Sequence, residues 1–467
     1  MPIEAFFILI YWKKSALVLK YSQGKSEIMK NKVEPKTLSG FMELMPQDQI
    51  LFSNIKRTIE EVYASYGYYE LDTPIIESSE VLLAKAGGET EKQIYRFQKG
   101  DSDLSLRFDL TVPLAKYVAA RYNELTFPFK RYQIGKVYRG ERAQKGRFRE
   151  FYQCDIDVIG NESLSLMYDV EIPSIIYDIF KKLNFGKFQI QINNRKLLSG
   201  FFDALELNDL VSDILRVIDK IDKIGLDAVK DELKLLDITD DKIEKIAEFI
   251  LIEGTTEEKI EKLENLGIQN DTFKEGLEEL KFVIEGLKCM NVDSDYYTIN
   301  LTIARGLDYY TGTVYETKLV DYPSIGSVCS GGRYEDLAGY YTDQKLPGVG
   351  ISIGLTRLFY QLKEAGIITS TEVSASDVAI LPMTMNYAYI CNVLNKVKCE
   401  GLKTEVVYLN KFKQLMRFAD KNNIPYVIII GDDEINNNEI AIKNMATGEQ
   451  TKVKLDDISK IKEIVKR

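Results

Sequence analysis

Between Gln47 and Tyr66 the apolar positions Leu51, Ile55, Ile59, Val62 and Tyr66 recur at spacings of four and three. That period lays one apolar stripe along a helix. Gly67 follows, where a left-handed residue commonly closes a helix. "YYELDTPIIE" then reads as a strand running into Pro74, and "LSLRFDLTVPLAKYVAARY" as a second strand turning into a helix at Pro113. Residues 129–160 carry two alternating runs on either side of "ERAQKGRFRE". This pattern predicts a long antiparallel hairpin with a basic loop.

From about Gly200 to Cys289 the pattern changes to Leu, Ile, Lys, Glu and Asp at helical spacing. Thr255 with Glu258 forms a capping box, and Gly254, Gly267 and Gly286 punctuate the segment, so it reads as an inserted module of several short helices. Its Lys/Glu alternation is a solvated face. Strand character resumes at "YYTINLTIARGLDYYTGTVYET", "SIGSVCSGGRYEDL" and "LPGVGISIGLTRLFYQL". The polar stretch 368–377, "ITSTEVSASD", reads as a linker. Beyond it "DVAILPM", "TEVVYL" and "YVIIIGDDE" alternate with helical segments and lead into a hairpin through "NMATGEQ". The expectation there is a small α/β domain with a largely parallel sheet.

At 467 residues the chain exceeds one hydrophobic core, and its length predicts about three domains. A net charge of −10 argues against indiscriminate nucleic-acid binding but leaves room for a local basic patch. The five cysteines are never spaced C-x-x-C, which supports neither a zinc site nor a disulfide framework and suits a reducing cytosol. The chain has no histidine. Imidazole acid/base chemistry and Ser-His-Asp or Cys-His nucleophile activation are therefore excluded as functions of this chain, and carboxylates, arginines, tyrosines or bound metal must do the work. "AFFILIYW", residues 5–12, is far short of the ~20 residues of a membrane span. It reads as a hydrophobic flap or as the trace of an upstream start, with Met29 the beginning.

Eight basic residues crowd positions 130–149: Lys130, Arg131, Lys136, Arg139, Arg142, Lys145, Arg147 and Arg149. Solvated surface charge is the plain account. Arg139 is set in a strand, where alternation aligns it with Val137, and a guanidinium so placed suits a carboxylate or phosphate. Gly348, Gly350 and Gly354 are spaced G-x-G-x-x-x-G, off register for a dinucleotide fingerprint, and no P-loop sequence is present. What remains is a glycine-bearing strand feeding a helix that carries Arg357.

Taken together, "YRGE" with a basic loop returning through "FREFYQ", the helix and strand before Pro74, and "GVGISIGLTRL" resemble the three motifs of class II aminoacyl-tRNA synthetases. "ARGLDYYTGTVYE" and "SGGRYEDL" resemble the two signatures of the histidyl-tRNA synthetase family. The resemblance implies an α+β fold: an antiparallel-sheet catalytic core with a helical insertion and a C-terminal α/β anticodon-binding domain. On that plan residues 1–35 are an extension, 36–198 and 292–367 the core, 199–291 the insertion, 368–377 the linker and 378–467 the anticodon-binding domain. It implies activation of histidine by ATP with Mg²⁺, then transfer to the 3′ end of histidine tRNA, in a cytoplasmic homodimer.

Site roles implied by the resemblance fall residue by residue. Arg139 and Glu141 would meet the α-phosphate and the adenine amino group, Phe151 would stack on adenine, and Arg357 would face the γ-phosphate. Asp109, Leu110 and Thr111 would hold the substrate's α-amino group, with Gln153 and Asp157 lining the amino-acid site. Tyr309, Tyr310 and Tyr334 would close around the imidazole. Arg305 would act at the reacting centre, and Asp308 would support it through a salt bridge. Gln133 stands where relatives often carry histidine. Two other readings share the fold: a regulatory subunit of a histidine-biosynthetic phosphoribosyltransferase and a non-catalytic tRNA-sensing module. The intact "RGLDYYTG" with the terminal domain weighs against the first, and the absence of kinase signatures against the second.

Overall fold

The computed structural model describes residues 33–84, 89–142, 146–303, 309–370 and 374–465. Arg305, Asp308, Lys145 and the extension up to Met29 lie outside the described residues. Two compact units divide at Glu43 and Leu44. The described part of the first is largely exposed chain in which Thr37 Oγ1 donates to Glu43 at 2.8 Å. All that follows concerns the second.

Helix α1, Pro46–Ser65, has a proline in its first turn, where the missing N–H goes unused, and it buries Phe52, Ile55, Ile59, Val62 and Tyr63. Gly67, at φ +78°, makes the left-handed exit. Strand β1 is only Tyr69–Glu70, paired parallel with Arg131 and Tyr132. The strand expected to run on into Pro74 ends at Glu70, and beyond the proline Ile76–Ser78 joins a separate three-stranded sheet with Ser102–Leu106 and Arg96–Lys99. A proline cannot continue a ladder of N–H donors. Helix α2, Thr111–Ala120, begins two residues before Pro113, which sits harmlessly in its first turn.

The hairpin is β2, Phe129–Tyr138, against β3, Glu150–Ile159, antiparallel over its length. Helix α3 is Met167–Leu183 and β4 is Phe188–Asn194. The stretch 296–317 is not one strand: β5, Tyr297–Ile299, pairs parallel with β4, and β6, Thr313–Leu319, pairs antiparallel with the other edge of β4. Then come β7, Ser327–Tyr334, β8, Gly348–Ile353, and helix α4, Leu355–Glu364. The eight strands lie in the order β1-β2-β3-β8-β7-β6-β4-β5, antiparallel except at the two edges. One face, carrying Cys154, Ile156, Ile190, Ile192, Tyr315, Ile351 and Ile353, joins α1 and α3 in the main core. The opposite face is left for chemistry.

Helices fill the insertion, and the Thr255/Glu258 capping box closes both of its hydrogen bonds at the start of Thr256–Asn265. The last of these helices, Asp271–Cys289, packs back on α3 and on the helix Arg195–Ala204. At the C-terminal end β9, Val378–Pro382, β10, Thr404–Val406, and β11, Tyr426–Ile430, are parallel. The hairpin β12, Glu439–Asn444, and β13, Gln450–Lys454, completes the order β10-β9-β11-β12-β13. That sheet is therefore mixed, not largely parallel. The short connection 431–438, with the helix Asp432–Asn436, returns the chain beside β11 without a crossover, which only antiparallel pairing permits.

Candidate active site

Direct cross-strand partners in an antiparallel sheet project to the same face. Arg131, Asp157, Gly350 and Gly332 are such partners across β2, β3, β8 and β7; Gln133, Asp155, Ser352, Ser330 and Glu316 form the adjoining row, which reaches β6. Two rows of polar and glycine positions thus run side by side over the sheet. The glycines are spatial: a Cβ on Gly350 would collide with the Asp157 carboxylate, and one on Gly332 would stand 2.9 Å from the Tyr310 ring.

The first row holds a polar cluster, in which Arg131 Nε and Nη1 are buried without a hydrogen-bond partner among the described residues. Arg131, fully buried, sets Nη2 2.7 Å from Asp157 Oδ2, while the Tyr334 hydroxyl donates to Asp157 Oδ1 at 3.0 Å. The Tyr309 ring stacks on Tyr334 at 4.9 Å and meets Tyr310 edge-on at 5.1 Å. Strand alternation would send Tyr309 and Tyr310 to opposite sides; both lie in the turn before β6 and share one side with Tyr334. Burial first, then the Asp157 carboxylate, pushes all three phenols above their usual range, so they are neutral walls with a polar tip.

Burial also raises Asp157, opposed by Arg131 and the Tyr334 hydroxyl. Asp155 is pushed up to about 7, burial again outweighing the attraction of Arg131. Its Oδ1 is buried with no hydrogen-bond partner among the described residues. Gln153 donates to Ser352 Oγ at 2.8 Å and keeps its own Oε1 unpartnered. Asp109 Oδ1 accepts from Val112 N at 3.0 Å at the start of α2, and buried Leu110 and half-buried Thr111 follow it. Gln133 donates to Asp72 Oδ1 at 3.0 Å and to Thr73 Oγ1 at 3.1 Å, fastening β2 to the segment after β1.

Beside this cluster opens a cavity of about 410 Å³ whose walls include Arg139, Glu141, Arg147, Phe151, Gln153 and Arg357. Arg139 is one residue past the end of β2, not inside the strand, yet its N–H still donates to Arg149 O at 2.9 Å. Its Nε donates to Phe108 O at 3.0 Å and its guanidinium lies 5.2 Å from the Phe151 ring centre. Arg357, on the first turn of α4, donates to Ile325 O at 3.2 Å. Several of the hairpin's other cations are already committed: Lys130 to Glu171 and Lys136 to Glu150, both at 2.7 Å, and Arg131 to Asp157. Within the basic cluster Lys130, Arg131 and Lys136 thus brace the sheet, while Arg139 and Arg147 line the cavity.

The sequence motifs singled out Gln153, Asp157, Tyr309, Tyr310 and Tyr334, and these meet over β3, β7 and β8; Arg139, Glu141, Phe151 and Arg357 meet around the cavity. Asp155, Arg131 as the partner of Asp157, and the serines Ser330 and Ser352 were missed. Strand register would have found Arg131, directly across from Asp157, and Asp155, across from Gln133; Ser352 and then Ser330 follow along that second row.

A sheet of this order, with a basic hairpin at one side and a glycine strand feeding α4, has the architecture of a class II aminoacyl-tRNA synthetase catalytic core. The family model described as histidyl-tRNA synthetase matches residues 40–358, and one described as an anticodon binding domain matches 377–464. The histidine–tRNA ligase of Clostridium tetani is 57% identical over 92% of this chain and 99% of its own length. That of Finegoldia magna is 49% identical over 91% of this chain and 99% of its own. The crystal structure of histidyl-tRNA synthetase from Nostoc sp. superposes with a TM-score of 0.87 at 40% identity, covering 93% of this chain and all of the other. The chain belongs to the histidyl-tRNA synthetase family, and histidine–tRNA ligation is its function.

Proposed function

We propose that this chain activates histidine in the tyrosine-walled cluster and ATP in the adjoining cavity, then hands the histidyl group to the 3′ end of histidine tRNA. The observation that carries the reading is that Arg139 and Gln153 line the cavity, while Asp157, with Tyr334, Tyr309 and Tyr310 about it, lies four residues further along β3 on the same sheet face. In the first step the substrate carboxylate attacks the α-phosphorus and pyrophosphate leaves. No protein base is needed, which suits a chain without histidine. The demand is alignment and charge neutralisation, for which Arg139 is placed; Arg305 is assigned to the same centre by its motif. Phe151 and Glu141 take the adenine, and Arg357 the γ-phosphate. Asp157 and Tyr334 read the imidazole N–H, while Gln153 and the Asp109–Thr111 turn hold the α-amino group.

Among the described residues no group of three or more acidic or thiol side chains comes together to hold a metal. Mg²⁺ then enters as its ATP complex, held chiefly by phosphate oxygens and water. Residues 377–464 take the anticodon, and the protein works as a cytoplasmic homodimer; among the described residues no helix is long and apolar enough to cross a membrane. Replacing Arg139 by Ala is expected to lower the rate of histidine-dependent pyrophosphate exchange by about 10²-fold or more with the fold intact. An unchanged rate would remove Arg139 from the reacting centre.

A further inference from the structure

Arg333 lies between Gly332 and Tyr334 on β7, but its side chain points away from the site, through the back of the sheet to the first turn of α3. There it is buried, 6% exposed, against Asp169, which is 0% exposed. Nε donates to Asp169 Oδ1 at 3.1 Å and Oδ2 at 3.0 Å, Nη2 also reaches Oδ2, and Nη1 and Nη2 donate to Leu164 O and Ser165 O at 3.2 and 3.0 Å. The Asp169 carbonyl in turn accepts the hydroxyl of Tyr315 from β6 at 2.8 Å. A buried ion pair of this kind is a poor device for stability and a good one for fixing a single geometry.

What it fixes is the turn that carries the tyrosines. Thr311 N donates to Arg333 O at 2.8 Å, and Gly312 lies so close to the arginine stem that an added Cβ would stand 2.9 Å from Arg333 Cδ. The residues just before, Tyr309 and Tyr310, pack on Tyr334 and Gly332, the two neighbours of Arg333 in the strand. Backbone and side chain of one residue thus join α3, β7 and the tyrosine turn.

We propose that Arg333, paired with Asp169, is a positioning residue for the amino-acid substrate: from behind the sheet it sets the spacing between the Tyr309–Tyr310 turn and Tyr334, and so the fit of the imidazole. This rests on those tyrosines forming the imidazole pocket. Among the described residues, neither the Tyr309–Gly312 turn nor Arg333 lines the ATP cavity walled by Arg139, Phe151 and Arg357.

The test is pyrophosphate exchange by the full-length protein with histidine and ATP varied separately. Arg333→Lys weakens the bidentate grip, and Arg333→Met with Asp169→Leu removes both charges so that no buried carboxylate is stranded. Gly312→Ala leaves the ion pair and presses on the arginine stem. In variants that keep the parent's circular dichroism, KM for histidine is expected to rise about tenfold or more while KM for ATP moves by less than about twofold. Equal rises in both KM values, or neither changing in the double variant and in Gly312→Ala, would overturn the proposal. Tyr334→Phe separates it from the pocket assignment. If that variant also leaves KM for histidine unchanged, the pocket itself is wrongly placed; if it raises KM for histidine while the Arg333 and Gly312 variants do not, only the positioning role fails.

Discussion

Asp157 is satisfied on both oxygens before any substrate arrives, by Arg131 and by Tyr334. In the proposed pocket an incoming imidazole would meet a carboxylate already held in place, completing a network instead of creating one. Removing the Tyr334 hydroxyl by substitution with Phe takes away a charge-assisted partner and is expected to raise KM for histidine about tenfold, read in steady-state exchange. Asp155, two residues before it, is less fully braced: Ser352 hydrogen-bonds it, but its Oδ1 is buried without a partner among the described residues, and burial outweighs both Ser352 and Arg131. With an ordinary value of 3.8 raised to about 7, the folded protein holds a proton there that the unfolded chain has lost. That contribution to stability is complete below about pH 4 and disappears as pH rises through about 7, a loss of up to about 4 kcal/mol. Asp155→Asn abolishes the titration, so denaturant midpoints measured from pH 5 to 8 are expected to fall less steeply in the variant than in the parent. Parallel slopes would contradict the raised value. None of this could be read from residue types alone: Asp155 and Asp157 look alike in "CDID", and only register separates the fully braced carboxylate from the less braced one.

At the level of elements, the hairpin, α1, the glycine strand and the insertion's capping box were legible because each is set by local periodicity or by a turn residue. The failures share a cause. Alternation around "TIARGLDYYTGTVYET" suggests one strand, whereas the described chain leaves β5 after Ile299 and re-enters the sheet at Thr313 on the far side of β4. Which partner a strand pairs with, and where it must leave to reach it, is a long-range matter. The same holds for the C-terminal sheet: its parallel half and its hairpin were legible, but the antiparallel pairing of β12 with β11, which makes the sheet mixed, was not. Strand β8 earns its glycines by what lies opposite. Gly350→Ala drives a methyl into Asp157 and the backbone of β3, and it is expected to cost about 2 kcal/mol or more of stability and most histidine binding, measured by calorimetry. Full activity in that variant would mean that the carboxylate moves freely.

For the whole molecule, the C-terminal strands and helices bury their own apolar residues, Val378, Ile380, Ile428 and Ile442 among them, in clusters separate from the main core. A protein ending at residue 370 is expected to keep histidine-dependent pyrophosphate exchange and to lose most tRNA charging, because activation needs only the sheet and cavity while residues 377–464 match an anticodon binding domain. The account as a whole stands on adenylate formation from histidine in the tyrosine cluster and ATP in the cavity. Exchange of labelled pyrophosphate into ATP, with and without histidine, tests it most directly. The expected result is exchange that requires histidine and drops about 10²-fold or more in Arg139→Ala; a folded, ATP-binding protein that shows no histidine-dependent exchange would contradict it.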